Sequence, residues 1–312
     1  MKIVYMGTPD FAVESLRALV ENGFNVVGVV TMPDKPAGRG HKIQFSPVKQ
    51  YALENNLPLL QPENLKDETF LAELKALRAD LQIVVAFRML PEAVWNMPCL
   101  GTFNLHASLL PQYRGAAPIN WAIINGETET GVTTFFLTHE IDTGNIILQE
   151  KTPISSEETA GELHDKLMKM GSELVLKTVK LILDGKAQGT PQPQVAELKL
   201  APKIFKETCK IDWRQPAQEI YNFVRGLSPY PAAWTEIVSP TGEVLALKIF
   251  ETRFENVETD NYPSLHTDNK TFVKIAVPDG YLYLTSIQLP NKKRMKTEEV
   301  LRGFSLEGFS IK

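Results

Sequence analysis

Cysteine is scarce in this chain: Cys99 and Cys209 are the only two in 312 residues. They are far apart and lack a metal-like spacing, which excludes a disulfide framework and leads us to expect free thiols in a reducing cytoplasm. Long apolar runs are missing too. None approaches the ~20 residues of a membrane helix, and Met1-Lys-Ile-Val-Tyr5 reads as the start of a strand rather than a signal peptide. The expectation is a soluble, cytoplasmic protein without membrane contact. Excess positive charge is also lacking. The formal net charge of −4 excludes a globally basic nucleic-acid binder, so any RNA contact has to come from local patches. Gly7 is followed by Thr8-Pro9-Asp10 rather than the further glycines of G-x-G-x-x-G, which argues against a dinucleotide site.

What is present is a chain above the size of one comfortable core, with 43% hydrophobic residues, and two domains are the default. Buried-strand runs at 2–6, 26–31, 57–60 and 80–87 alternate with helical stretches near 10–20, 46–55 and 67–77. That alternation predicts an open, mostly parallel, Rossmann-like α/β sheet. Strands at 131–137 and 145–152 follow a short helix at 118–125. A long helix over 159–183 carries Leu163, Leu167, Met170 and Leu174 on one face. The Pro- and Gly-rich stretch 189–205 reads as a linker between a catalytic domain at 1–188 and a second domain at 206–312. In the latter, a helix at 216–227 precedes short alternating segments at 233–238, 244–250, 271–277 and 281–289, the pattern of a small antiparallel barrel.

The chemistry concentrates in Thr102-Phe-Asn-Leu-His-Ala-Ser-Leu-Leu-Pro-Gln-Tyr-Arg-Gly115. On a strand, Asn104 and His106 project to one face while Phe103 and Leu105 pack on the other. An amide donor beside an imidazole suits a carbonyl whose oxygen becomes negative during attack. Asp142, in the turn Thr138-His-Glu-Ile-Asp-Thr-Gly144, is the expected carboxylate. Such residues can equally form a satisfied structural group. Two basic stretches stand out as well: the loop Met32–Lys42, with Lys35, Arg39 and Lys42 as candidate phosphate ligands, and Asn291–Lys296, with Lys292, Lys293, Arg294 and Lys296. Residues 206–312 hold fourteen basic and fourteen acidic side chains, so that domain is not basic as a whole.

Read together, Asn-Leu-His-Ala-Ser-Leu-Leu-Pro-Gln-Tyr-Arg-Gly-Ala-Ala-Pro and the later Ile-Asp-Thr-Gly resemble the folate-dependent formyltransferases. The resemblance extends through Met1–Phe11, Pro33-Asp-Lys-Pro-Ala-Gly-Arg-Gly40 and Lys210-Ile-Asp-Trp213, and so covers essentially the whole chain. It implies formyl transfer from 10-formyltetrahydrofolate to the α-amine of methionine on initiator methionyl-tRNA, by a monomer that needs no metal. It further implies Asn104, His106 and Asp142 as catalytic residues. Ser108, Leu109, Leu110 and Pro111 would line the folate pocket, with Phe87 and Arg88 at its border, where many relatives have glycine in place of Arg88. The loop at 32–42 would enter the acceptor end of the tRNA, and the second domain would be an OB-like module that binds it. Rival readings are a sugar-nucleotide or glycinamide-ribonucleotide formyltransferase with the same trio, and a non-catalytic RNA-binding module.

Overall fold

Hydrophobic patterning sets the first element. Ile3 to Met6 are fully buried, so β1 (Lys2–Gly7) is covered on both faces, as an interior parallel strand must be. It runs into α1 (Asp10–Glu21), whose buried Phe11, Ala12, Ser15, Leu16 and Leu19 recur at helical spacing. β2 (Asn25–Val30) then leads to the basic stretch. In the computed structural model, which describes residues 1–37, 42–259 and 262–312, this stretch contains a hairpin where a loop was expected. β3 (Lys35–Ala37) pairs antiparallel with β4 (Lys42–Gln44), with Lys35 opposite Gln44 and Lys42 opposite Ala37. Arg39 lies outside the described residues. At the hairpin base, the Asp34 carboxylate accepts hydrogen bonds from Lys49 at 2.5 Å and Gln61 at 3.0 Å. The bond from Lys49 is the chief cause holding the Asp34 carboxyl below its ordinary pKa.

α2 (Pro47–Glu54) begins at Ser46, whose hydroxyl caps Lys49 N–H, and β5 (Leu59–Leu60) follows. α3 (Glu68–Ala76) begins at Asp67, whose carboxylate caps Phe70 N–H. The chain continues through β6 (Leu81–Val85), α4 (Glu92–Trp95), β7 (Thr102–His106), β8 (Arg114–Gly115) and α5 (Pro118–Ile124). β9 (Glu129–Phe136), β10 (Ile146–Pro153) and α6 (Ala160–Leu183) complete this half. The sheet order is β10-β9-β7-β6-β1-β2-β5. β7 is interior as expected, parallel to β6 but antiparallel to β9, so it stands where the strand direction reverses. Its outlet is at the carboxyl edge of the parallel strands, where open α/β sheets bind ligands.

After β11 (Leu200–Ala201) and α7 (Ala217–Leu227), the period changes to that of strands. β12 (Ala233–Val238), β13 (Val244–Asn256), β14 (Ser264–Thr267), β15 (Val273–Val277), β16 (Gly280–Gln288), β17 (Met295–Lys296) and β18 (Ser310–Ile311) form one antiparallel sheet, with α8 (Thr297–Leu301) before the last strand. The order is β14-β15-β16-β13-β12-β18, and the end strands β14 and β18 touch, giving a nearly closed barrel. Ile237, Leu247, Ile249, Ile275, Leu282 and Ile287 fill it. β13 is longer than expected because 251–256, where charged Glu251, Arg253 and Glu255 alternate with uncharged Thr252, Phe254 and Asn256, still pairs with β16 as far as Gly280. Among the described residues no helix is long and apolar enough to cross a membrane.

The chain forms two compact units, and neither is continuous in sequence. One comprises 1–115, 130–152 and 164–200; the other comprises 116–129, 153–163 and 201–312. This departs from a linear break at 188–206. The reason within the second unit is Arg225, which is buried on α7 and needs acceptors. Its guanidinium donates to Glu158 O at 2.9 Å, Ser155 O at 3.3 Å and Asn222 Oδ1 at 2.9 Å, and burial lowers its pKa. Asn120 Nδ2 on α5 also donates to Gly226 O at 2.8 Å. Arg225→Met, which keeps the stem and removes the donors, is expected to cost about 3 kcal/mol in urea unfolding. An unchanged midpoint would show that solvent or other donors satisfy those carbonyls.

Candidate active site

Strand alternation places the first two groups. Phe103 and Leu105 are buried on one face of β7, while Asn104 and His106 lie on the other. Asn104 Oδ1 is buried and has no hydrogen-bond partner. A half-turn of the amide exchanges its C=O and NH₂ ends, so this free end can accept from, or donate to, a bound group. His106 is 7% exposed, and its Nε2 lies 2.8 Å from the carbonyl oxygen of Tyr113. A carbonyl only accepts, so Nε2 carries the hydrogen and Nδ1 is the basic nitrogen of the neutral ring. Nδ1 faces Asp142 Oδ2 at 3.9 Å, so a proton taken up there would sit beside a carboxylate.

Main chain holds Asp142 in place. Its Oδ2 accepts from Gly115 N–H at 2.9 Å, and Asp142 itself has φ +55. Tyr113, which supplies the carbonyl to His106, has φ +60. Two non-glycine residues in the left-handed region beside one imidazole mark a backbone held in shape by its surroundings. Gly144 completes the Asp-Thr-Gly turn because a Cβ there would lie 1.6 Å from the carbonyl oxygen of Phe136.

The loop after β7 is fixed from beneath. Thr133 Oγ1 donates to Ser108 O at 2.6 Å, and Gln149 Nε2 donates to Leu110 O at 2.8 Å. Ser108 Oγ donates to Gln112 O at 2.7 Å. Ser108, Leu110 and Pro111 are buried, and Leu109 alone of the four is half-buried. Phe87 is half-buried against the core that holds Val84 and Leu90. Arg88 turns elsewhere: its guanidinium donates to the carbonyls of Pro62 and Glu63, and burial lowers its pKa. It ties the loop after β6 to the loop after β5.

The stretch expected to be a linker contributes to the site. Gln192 Nε2 donates to Asp142 O at 2.8 Å and Gly144 O at 2.9 Å, while its Oε1 accepts from Arg114 at 2.7 Å. Tyr113 N–H donates to Lys199 O at 2.6 Å, and Lys199 N–H donates to Gln112 Oε1 at 2.7 Å. Residues 189–200 are therefore docked on the Asp142 turn and on the loop after β7, not free spacer. The flanking Pro191 and Pro193 were the available signal: they hold the chain extended so that the glutamine between them can span two segments. Gly115, Tyr113 and Gln192 were all missed by sequence reasoning.

The basic stretch Asn291–Lys296 lies in the second unit. Arg294 is engaged with Ser286 at 2.8 Å and with Glu251, and it stacks 4.7 Å over Phe250. This leaves exposed Lys292, Lys293 and Lys296 as the cations of that run open to solvent.

A site of this kind can stabilise charge on a carbonyl oxygen and move a proton, an arrangement that suits acyl transfer on an α/β scaffold. Comparison with known proteins narrows the class. A family model described as "Formyl transferase" matches residues 1–179, and "Formyl transferase, C-terminal domain" matches residues 203–305; the chain belongs to the formyl transferase family. It is 65% identical over 317 aligned positions to a Bacteroides fragilis protein named methionyl-tRNA formyltransferase, covering 100% of this chain and 98% of that one. It is 66% identical to a protein of the same name from Parabacteroides distasonis, covering 97% and 96%. Among solved structures, the sugar 3N-formyl transferase WlaRD, crystallised with dTDP and 5-N-formyl-THF, matches with a TM-score of 0.66 at 22% identity, covering 94% of this chain and 99% of that one. That likeness is one of fold.

If Gln192 positions the Asp142 turn, Gln192→Ala should lower kcat ~10-fold or more, since small displacements of a reacting group are costly. The thermal midpoint should move by only a few degrees. A variant with normal kcat would show that Gly115 alone fixes the carboxylate.

Proposed function

We propose that the protein transfers the formyl group of 10-formyltetrahydrofolate to the α-amine of methionine on initiator tRNA, giving N-formylmethionyl-tRNA for translation initiation. The observation that carries this reading is the full-length 65% identity to a protein named methionyl-tRNA formyltransferase. We take it to act as a monomer in the cytoplasm, with residues 1–188 as the catalytic region and 206–312 as the OB-like tRNA-binding module.

The residues present suit the co-substrate. An unpartnered buried amide end and the half-buried Leu109 and Phe87 offer one polar and two apolar contacts to a ring system that carries a formamide. When bound, that group supplies an activated formyl carbon. In the assigned roles, Asn104 donates its amide N–H to the oxygen that gains charge as the amine attacks. His106, with Nε2–H fixed on Tyr113 O, takes the amine proton at Nδ1 and returns it to the departing folate nitrogen. Asp142 stabilises the ring while the proton is on it. A new C–N bond forms to the amine, the old one to folate breaks, and the proton count balances. Arg88 acts here as a tie between two loops at the pocket border.

Asn104→Ala and His106→Ala should each lose ~10²-fold or more in formyl transfer while remaining folded. Asp142→Asn keeps the shape and the bond from Gly115, so a comparable loss would assign the negative charge to the reaction. Normal turnover by either alanine variant would remove that residue from the mechanism. Assaying charged initiator tRNA against an amino-sugar nucleotide separates this reading from sugar N-formylation.

Lys35, Arg39 and Lys42 are assigned to the acceptor end, and Lys292, Lys293 and Arg294 to the tRNA backbone, with Arg294 already committed to Glu251. Arg39→Ala should raise KM for tRNA and leave folate affinity unchanged. Replacing Lys292, Lys293 and Lys296 with alanine should lower the slope of log affinity against log salt by roughly 0.7–0.9 for each phosphate that is no longer neutralised. Parallel declines in folate and tRNA binding by Arg39→Ala would place that residue over the folate.

A further inference from the structure

Gln112 joins the loop after β7 to the 189–200 stretch, and all four of its polar groups meet protein. Its N–H donates to Leu109 O at 3.1 Å and its carbonyl accepts from Ser108 Oγ at 2.7 Å, which closes the turn locally. Its side chain acts at long range. Nε2 donates to Glu197 O at 2.9 Å and Oε1 accepts from Lys199 N–H at 2.7 Å, partners 85 and 87 positions along the chain. Because one partner is a carbonyl and the other an N–H, chemistry alone fixes the orientation of this amide. A half-buried glutamine could have left both bonds to water. Instead it grips main chain at both ends.

The grip extends to the next residue. Lys199 O accepts from Tyr113 N–H at 2.6 Å, so the main chain of Lys199 is bound once by the Gln112 side chain and once by the Tyr113 backbone. Tyr113 stands at φ +60, a conformation that a non-glycine residue keeps only where its surroundings impose it. In that conformation its carbonyl oxygen meets His106 Nε2 at 2.8 Å. The other end of the 189–200 stretch is bound to the Asp142 turn and the strand that follows it. Gln192 donates to Asp142 O and Gly144 O, and Thr190 exchanges two main-chain bonds with Ile146, each at 2.8 Å. One length of chain thus ties together the two segments that face the two nitrogens of a single imidazole.

We propose that Gln112 is a positioning residue for His106: by hooking the 189–200 stretch it holds the Tyr113 carbonyl on Nε2, and so keeps the ring in the one tautomer whose free Nδ1 faces Asp142. With the hook removed, the carbonyl is released and the ring can take the other tautomer, which carries its hydrogen on the nitrogen that has to accept a proton. The inference rests on the proposed role of His106 in formyl transfer.

The test uses the full-length chain with its histidines labelled with 15N. Two-bond proton–nitrogen correlations at about pH 8.5, roughly two units above the ordinary histidine value, report the tautomer of a neutral ring. The His106 signals are those missing from His106→Ala. The parent is expected to show Nε2–H alone. Gln112→Met keeps an unbranched stem and removes both side-chain bonds. It should show both tautomers and lower kcat ~10-fold or more, with KM for charged initiator tRNA unchanged, since alignment is lost in the reaction rather than in binding. Gln112→Ala is the second variant, and the circular dichroism of the parent is the criterion of folding for both. Nε2–H alone in a folded variant overturns the proposal, and so do mixed tautomers with parental kcat. A parent that transfers no formyl group to charged tRNA, while the tautomer still shifts in Gln112→Met, sinks the proposed activity and keeps the hook on the imidazole. Full formyl transfer by the parent, with a tautomer indifferent to both substitutions, does the reverse.

Discussion

The hydrogen bond from Gly115 N–H to Asp142 Oδ2 is the constraint on which the site depends. It fixes the carboxylate 3.9 Å from His106 Nδ1, and the Tyr113 carbonyl fixes the other ring nitrogen. A histidine held at one nitrogen only could turn about χ2 and lose its alignment; held by two segments, it presents one basic nitrogen in one direction. The loop 107–115 therefore has to return to the strand from which it left. Its buried Ser108 and Leu110, its bonds to Thr133 and Gln149, and the left-handed Tyr113 are the means of that return.

The same constraint explains why the 189–200 stretch is ordered. A turn that holds Asp142 at φ +55 needs its carbonyls satisfied, and Gln192 answers two of them with one amide while also meeting Arg114. A glutamine suits this task better than a charged residue. It donates twice and accepts twice from one guanidinium without adding charge near the imidazole and carboxylate pair.

How much of this was legible beforehand varies with the range of the interaction. The α/β sheet was readable because Ile3–Met6 and Ile83–Val85 are unbroken apolar runs, and the barrel because short alternating segments are separated by turns. That Asn104 and His106 share one strand face was readable from strand parity alone. Gly115, Tyr113 and Gln192 act through main-chain groups or across 27 to 50 positions of sequence, and no local pattern encodes such partners. The discontinuous units were hidden for the same reason: Arg225 finds its acceptors 67 and 70 residues upstream. β3 and β4 were hidden differently, since a Pro- and Gly-rich hairpin looks like a loop until its register is known.

Charge shows the limit of composition most clearly. A chain of net −4, with a second domain of balanced charge, gives no field that would attract RNA from a distance. Recognition must then be local, and local cations count only where they are not already engaged. Arg294 is bound to Glu251 and Ser286, Lys210 to Glu236 and Lys49 to Asp34, so three of the basic residues that a sequence count would credit to RNA are already paired inside the fold. Lys203 and Lys206 differ because the groups beside them are aromatic rings rather than carboxylates. A cation over a ring keeps its charge available to a phosphate while the ring offers its face to a base.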